Sequence, residues 1–158
     1  MYGCVRKLTI MGLAFMAFIV FYPFHGCSAS GSAKARIPPE LSALIQEEML
    51  IISDALEEIV RAVVIGEHQV VSEKGRIIYE SSILNEGKAG EESHQLFSSL
   101  PKAFIAFDRR LHRSAMKMAV AADERKIDLE RYYISEMIET CVNCHKVFAK
   151  NLFPSLGN

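Results

Sequence analysis

From Leu41 onward, apolar residues recur at steps of three and four, and this spacing restricts the fold more than any other feature of the chain. In an α-helix, such spacing places the apolar side chains on one side, where they can pack away from water. Pro38 and Pro39 precede the first segment and Gly66 follows it, as is common at the two ends of a helix. The pattern predicts one long helix whose inner stripe consists of Leu41, Ile45, Met49, Ile52, Leu56, Ile59 and Val63.

Three further segments show the same helical spacing. The second covers residues 67–84, the third opens at Pro101, and the fourth follows Asp128, a residue type suited to an N-cap. A polar, glycine-bearing stretch separates the second segment from the third. No segment of residues 36–158 alternates convincingly with the period of two that a half-buried strand requires. We therefore expect an all-α protein, an antiparallel four-helix bundle with one longer connection.

The first 35 residues differ from the rest of the chain. Arg6 and Lys7 precede an uncharged apolar run at 8–22, and mostly small residues follow from residue 26. This order is typical of a secretory signal peptide, so residues 1–35 are predicted to be removed and residues 36–158 to form the mature bundle in the bacterial periplasm. The run is shorter than the roughly 20 residues of a membrane-spanning helix, so no span is expected in the mature protein. A lipid anchor at Cys27 is a less favoured alternative.

Two of the four cysteines, Cys141 and Cys144, lie outside this N-terminal region. A disulfide between them would close a very small loop and stabilise little. Residues 141–145 read Cys-Val-Asn-Cys-His, which is the attachment sequence of c-type haem. On one side of a helix, both thiols can form thioethers with the haem vinyl groups, and His145 can bind the iron as proximal ligand. The motif predicts one covalently bound haem c.

Two other interpretations of the cysteine pair are weaker. A zinc site would need two more ligands, and the mature chain has no third cysteine. A thioredoxin-like redox pair is expected beside a βαβ unit, and the helical spacing offers none.

The position of the motif limits the class of cytochrome. Thirteen residues follow His145, and the last methionine, Met137, precedes the motif on the same predicted helix. An axial methionine far downstream of the motif is therefore impossible. An exported helical bundle with Cys-x-x-Cys-His near its end resembles the cytochrome c-prime family, the class II c-type cytochromes. The resemblance covers the architecture of residues 36–158, and its specific residues are Cys141, Cys144 and His145. One difference is Ala149, where the family usually has a basic residue.

This resemblance implies that a side chain of the first helix covers the distal face of the haem. Met49 occupies the matching position and is the implied distal iron ligand of a six-coordinate, low-spin haem. Family members with an apolar residue there have five-coordinate iron. His68, His94 and His112 are rivals for the distal position. We expect His112 to form a partly exposed pair with Asp108, four residues before it, and His68 to be solvated.

The function expected from these features is one-electron transfer, not enzymatic catalysis, with other redox proteins as partners. The alternative is a five-coordinate cytochrome c-prime-like protein that binds NO or CO for sensing or detoxification. The resemblance alone implies a homodimer. The formal net charge of −1 argues against nucleic acid as a partner. A basic run on the third helix is predicted to be a solvated face, or alternatively to dock an acidic partner; it comprises Arg109, Arg110, Arg113 and Lys117.

Overall fold

The computed structural model describes residues 37–84 and 97–157. Four long helices lie within these residues, and no β-strand occurs among them. They are α1 (Pro39–Ile65), α2 (His68–Ser81), α3 (Lys102–Asp123) and α4 (Ile127–Phe148), and a short 3₁₀ helix follows at Pro154–Gly157. The prediction of an all-α four-helix bundle is confirmed. The predicted signal peptide at residues 1–35 and its Cys27 lie outside the described residues.

The ends of α1 follow the sequence signals. Pro39 occupies the first helical position, where its missing N–H removes no hydrogen bond. Gly66 ends the helix with φ 77°, in the left-handed region that glycine adopts easily, and its N–H bonds to the Val63 carbonyl. The predicted N-cap of the last helix was wrong. Lys126 caps α4, and Asp128 lies in the first turn, where its carboxylate pairs with Arg131 at 2.5 Å.

Successive helices run antiparallel, as paired residues on neighbouring helices show. Lys74 of α2 reaches back to Glu58 of α1 at 2.7 Å. Ser72, early in α2, donates to Asp123 at the end of α3. The Phe104 ring of α3 meets the Phe148 ring of α4, with centroids 5.5 Å apart. Contacts between α1 and α4 are few, so the bundle closes loosely along that side.

Gly75 lets α2 and α3 approach closely. It is buried, and a Cβ atom placed on it would lie 2.9 Å from the backbone oxygen of Ala115. The sequence indicated only that this glycine weakens the helix. Its position shows that the missing side chain is needed at the crossing of the two helices.

The apolar core forms two clusters. The main cluster is built from all four helices and includes Ile59, Ile78, Met118 and Met137, each fully buried. The second cluster, around Leu41, Leu100 and Phe104, lies where α1 begins and α4 ends. Within the described residues, none of the helices combines the length and apolar character that a membrane crossing needs.

Candidate functional site

Cys141 and Cys144 lie near the end of α4, where the two core clusters meet. Both are half-buried, and no disulfide joins them. Cys141 packs against the main cluster and Cys144 against the second one. Burial raises the pKa of the Cys141 thiol, and burial together with Cys141 and Asp108 raises the pKa of Cys144 to about 12. Two adjacent thiols therefore face apolar surroundings on one side of α4.

His145, the predicted proximal ligand, is half-buried on the last turn of α4. Its ring stacks on Phe153, with centroids 4.5 Å apart and planes 15° from parallel. Neither ring nitrogen forms a hydrogen bond within the described part of the chain. Burial lowers the pKa of His145, which favours the neutral imidazole that binds a metal. Phe153 was not recognised in the sequence, because the turn that returns it to α4 has no distinctive spacing.

Met49 is half-buried on α1 and packs against the main cluster, as its place on the inner stripe predicts. The preceding residue, Glu48, accepts the backbone N–H of Ile83, which lies just after α2, and its carboxylate also reaches His112 of α3.

Cys141, on α4, packs against the same main cluster as Met49.

The residue types of this site fit a covalently attached haem. They supply two free thiols, a neutral imidazole without a hydrogen-bond partner among the described residues, and a half-buried thioether. Apolar side chains of both clusters surround the thiols, as a large apolar macrocycle requires. Iron in c-type cytochromes is bound by this donor set of imidazole and thioether.

A second polar cluster is formed by Glu48 of α1 and by Asp108 and His112 of α3. Nε2 of His112 lies 3.1 Å from Oε1 of Glu48 and 3.4 Å from Oδ1 of Asp108. The predicted pair of His112 with Asp108 is present. The prediction that this pair is partly exposed was wrong, since His112 is only 4% exposed. Burial alone would lower the pKa of His112, but the adjacent Asp108 and Glu48 raise it to about 9.

The expectation of a solvated His68 was wrong. Its Nδ1 lies 2.6 Å from Oε1 of Glu130, which is fully buried in α4. Glu130 precedes Cys141 by eleven residues, which corresponds to about 16 Å along the helix. His68 is thereby held too far from the thiols to serve as a distal ligand. His94, the third of the histidines considered for the distal position, lies outside the described residues.

The basic run on α3 is exposed, as predicted for a solvated face. Arg110 pairs with Glu136 of α4 at 2.9 Å, and the Arg113 guanidinium donates to the Arg109 carbonyl.

Comparison of the chain with protein-family models, with curated proteins and with solved structures gave no match.

Proposed function

We propose that the mature chain is a periplasmic mono-haem c-type cytochrome that transfers single electrons, and that it resembles the cytochrome c-prime family. Cys141 and Cys144 hold the haem, and His145 is the proximal ligand of its iron. The observation that carries the proposal is the placement of two free thiols and a neutral imidazole on the last turns of one helix, against apolar clusters. The bound iron supplies a centre that gains and loses one electron.

The protein residues fix the position and the surroundings of that centre. Cys141 and Cys144 would hold the haem through thioethers, and stacking on Phe153 restrains the ring of His145. Met49 would supply a second iron ligand from α1. An iron that kept both protein ligands in its two oxidation states would suit electron transfer. The apolar neighbours of the thiols exclude water from the site.

The test is the mass and the optical spectrum of the mature protein. The full chain is expressed in a bacterial host with haem-attachment machinery and purified from the periplasm. We expect the polypeptide mass plus one haem, and a low-spin spectrum in both oxidation states. Haem that acid acetone extracts, or a bare polypeptide mass, contradicts the proposal.

Two variants make this test specific. Replacing both thiols, as Cys141→Ala with Cys144→Ala, should abolish covalent attachment, whereas Cys144→Ala alone leaves at most one thioether. A high-spin spectrum of the wild type, together with CO binding by the reduced protein, would instead favour the NO- or CO-binding alternative.

A further inference from the structure

The cluster of Glu48, Asp108 and His112 takes no part in the proposed haem chemistry. One ligand atom from each residue lies within 4.8 Å of the others. Nε2 of His112 is 3.1 Å from the Glu48 oxygen and 3.4 Å from the Asp108 oxygen. Ligands of a tetrahedral zinc ion, bound at about 2.0 Å, lie about 3.3 Å from one another. The two measured separations match that spacing.

Each of the three ligands is oriented by a hydrogen bond. Nδ1 of His112 donates to the carbonyl oxygen of Ile78 at 2.6 Å, so the lone pair of a neutral ring lies on Nε2, facing the carboxylates. Oε1 of Glu48 accepts the Ile83 N–H at 3.1 Å. Oδ2 of Asp108 accepts the hydroxyl of Ser82 at 3.4 Å, which leaves Oδ1 toward the ring. Hydrogen bonds of this kind commonly orient metal-binding side chains.

The cluster also contains a buried polar atom without a hydrogen-bond partner among the described residues. Oε2 of Glu48 makes no hydrogen bond, although Glu48 is only 2% exposed. Two carboxylates with a neutral imidazole carry a charge of −2, which a divalent cation balances. We propose that Glu48, Asp108 and His112 bind one divalent transition-metal ion, of the class of zinc.

A cavity of about 170 Å³ gives access to these residues. Asp108 and His112 line it together with exposed side chains of Tyr79, Arg109 and Arg113, so it reaches the surface. Water in the cavity can fill the fourth coordination position of the ion. The two guanidinium groups oppose the entry of a cation, but salt screens charges as exposed as these.

The test uses zinc ions and the haem-loaded mature protein, because the attached haem blocks the two thiols as competing ligands. After treatment with a chelator, the protein is titrated with Zn²⁺ in a calorimeter, and bound zinc is measured by mass spectrometry. We expect one zinc per chain.

Asp108→Asn and His112→Gln should each weaken zinc binding at least about tenfold. The matched control is Glu130→Gln, which alters the other buried histidine–carboxylate pair and should bind zinc like the wild type. Where a cluster variant fails to fold, the zinc content of the wild type still decides the proposal. Absence of zinc from the wild type, or equal binding by the folded variants, overturns the proposal.

The zinc site and the haem proposal fail separately. If no haem attaches, the titration is repeated with Cys141→Ser and Cys144→Ser combined, so that no thiol binds zinc. Loss of haem with retention of one zinc would leave the Glu48–Asp108–His112 site intact.

Discussion

The ring of His145 stacks on the ring of Phe153, with centroids 4.5 Å apart and planes 15° from parallel. The contact links the last turn of α4 to the segment just before the 3₁₀ helix. A stacked ring cannot rotate freely about its Cβ–Cγ bond without losing the contact. Phe153 therefore positions the imidazole that we propose as the proximal iron ligand.

Replacing Phe153 by leucine should release the imidazole ring while preserving the bundle. We expect the free energy of unfolding to fall by about 1 kcal/mol, the usual contribution of an aromatic pair. In the haem-loaded protein, the electron paramagnetic resonance spectrum of the ferric iron should broaden or shift, because the imidazole plane is no longer fixed. Leu152→Ala is the control, since Leu152 is 70% exposed and should change neither property. An unchanged spectrum in Phe153→Leu would show that stacking does not orient the ring.

Met49→Leu tests the distal ligand. Leucine nearly conserves the volume, so the cost in stability should stay below about 1.5 kcal/mol. The iron should become five-coordinate, lose the weak far-red band of a ferric iron–thioether bond, and bind CO when reduced. The reduction potential should also fall, since thioether ligation raises it.

Met116→Leu is the matched control for Met49→Leu, since Met116 is likewise half-buried but lies on α3. It should keep the spectrum and the potential of the wild type. Identical spectra for Met49→Leu and the wild type would show that Met49 packs in the core and does not bind the iron.

The sequence predicts elements whose cause is local. The inner stripe of α1 and the end at Gly66 depend on spacing and on one backbone conformation, and both were confirmed. Contacts between distant segments could not be predicted in this way. In the sequence, Glu48 is one of several acidic residues of the first helix. Only the packing of the folded chain brings its carboxylate to His112 of α3. The pairing of His68 with Glu130, 62 residues away in sequence, was missed for the same reason.

Gly75→Ala should destabilise the bundle even though alanine favours helices. The added Cβ would lie 2.9 Å from the Ala115 backbone oxygen and 3.1 Å from the Ala119 Cβ. Overpacking of this kind costs about 1–3 kcal/mol, which exceeds the gain of about 1 kcal/mol in helix propensity. Urea unfolding measures the difference. Glu73→Ala, at an exposed position of α2, is the control and should be near neutral. A more stable Gly75→Ala protein would mean that α2 and α3 lie further apart than described.

The buried His112 should make the metal-free protein less stable as the pH rises. Glu48 of α1 and Asp108 of α3 face its imidazole, and they raise its pKa from 6.5 to about 9 despite burial, which acts in the opposite direction. A histidine whose folded pKa exceeds its unfolded value binds protons more tightly when folded. Its stabilising contribution is complete below about pH 6.5 and is lost as the pH rises through about 9. Burial also raises the pKa of Glu48, so the contribution of this carboxyl group to stability likewise falls as the pH rises.

Urea unfolding of the haem-loaded protein with a chelator, between pH 6.5 and 8.5, measures this loss. Because both cysteines are bound to haem as thioethers, no thiol ionises in this pH range. The contribution of His112 to the slope should approach, and not exceed, about 1.4 kcal/mol per pH unit, the value for one proton. His112→Gln has no ionisable ring at this position, so its stability should vary less over the same range. With bound zinc the wild type should reverse its trend, because zinc and the proton compete for Nε2 of His112 and the ion binds more tightly as the pH rises. Equal slopes for the wild type and His112→Gln would mean that the buried imidazole is not protonated in the folded protein.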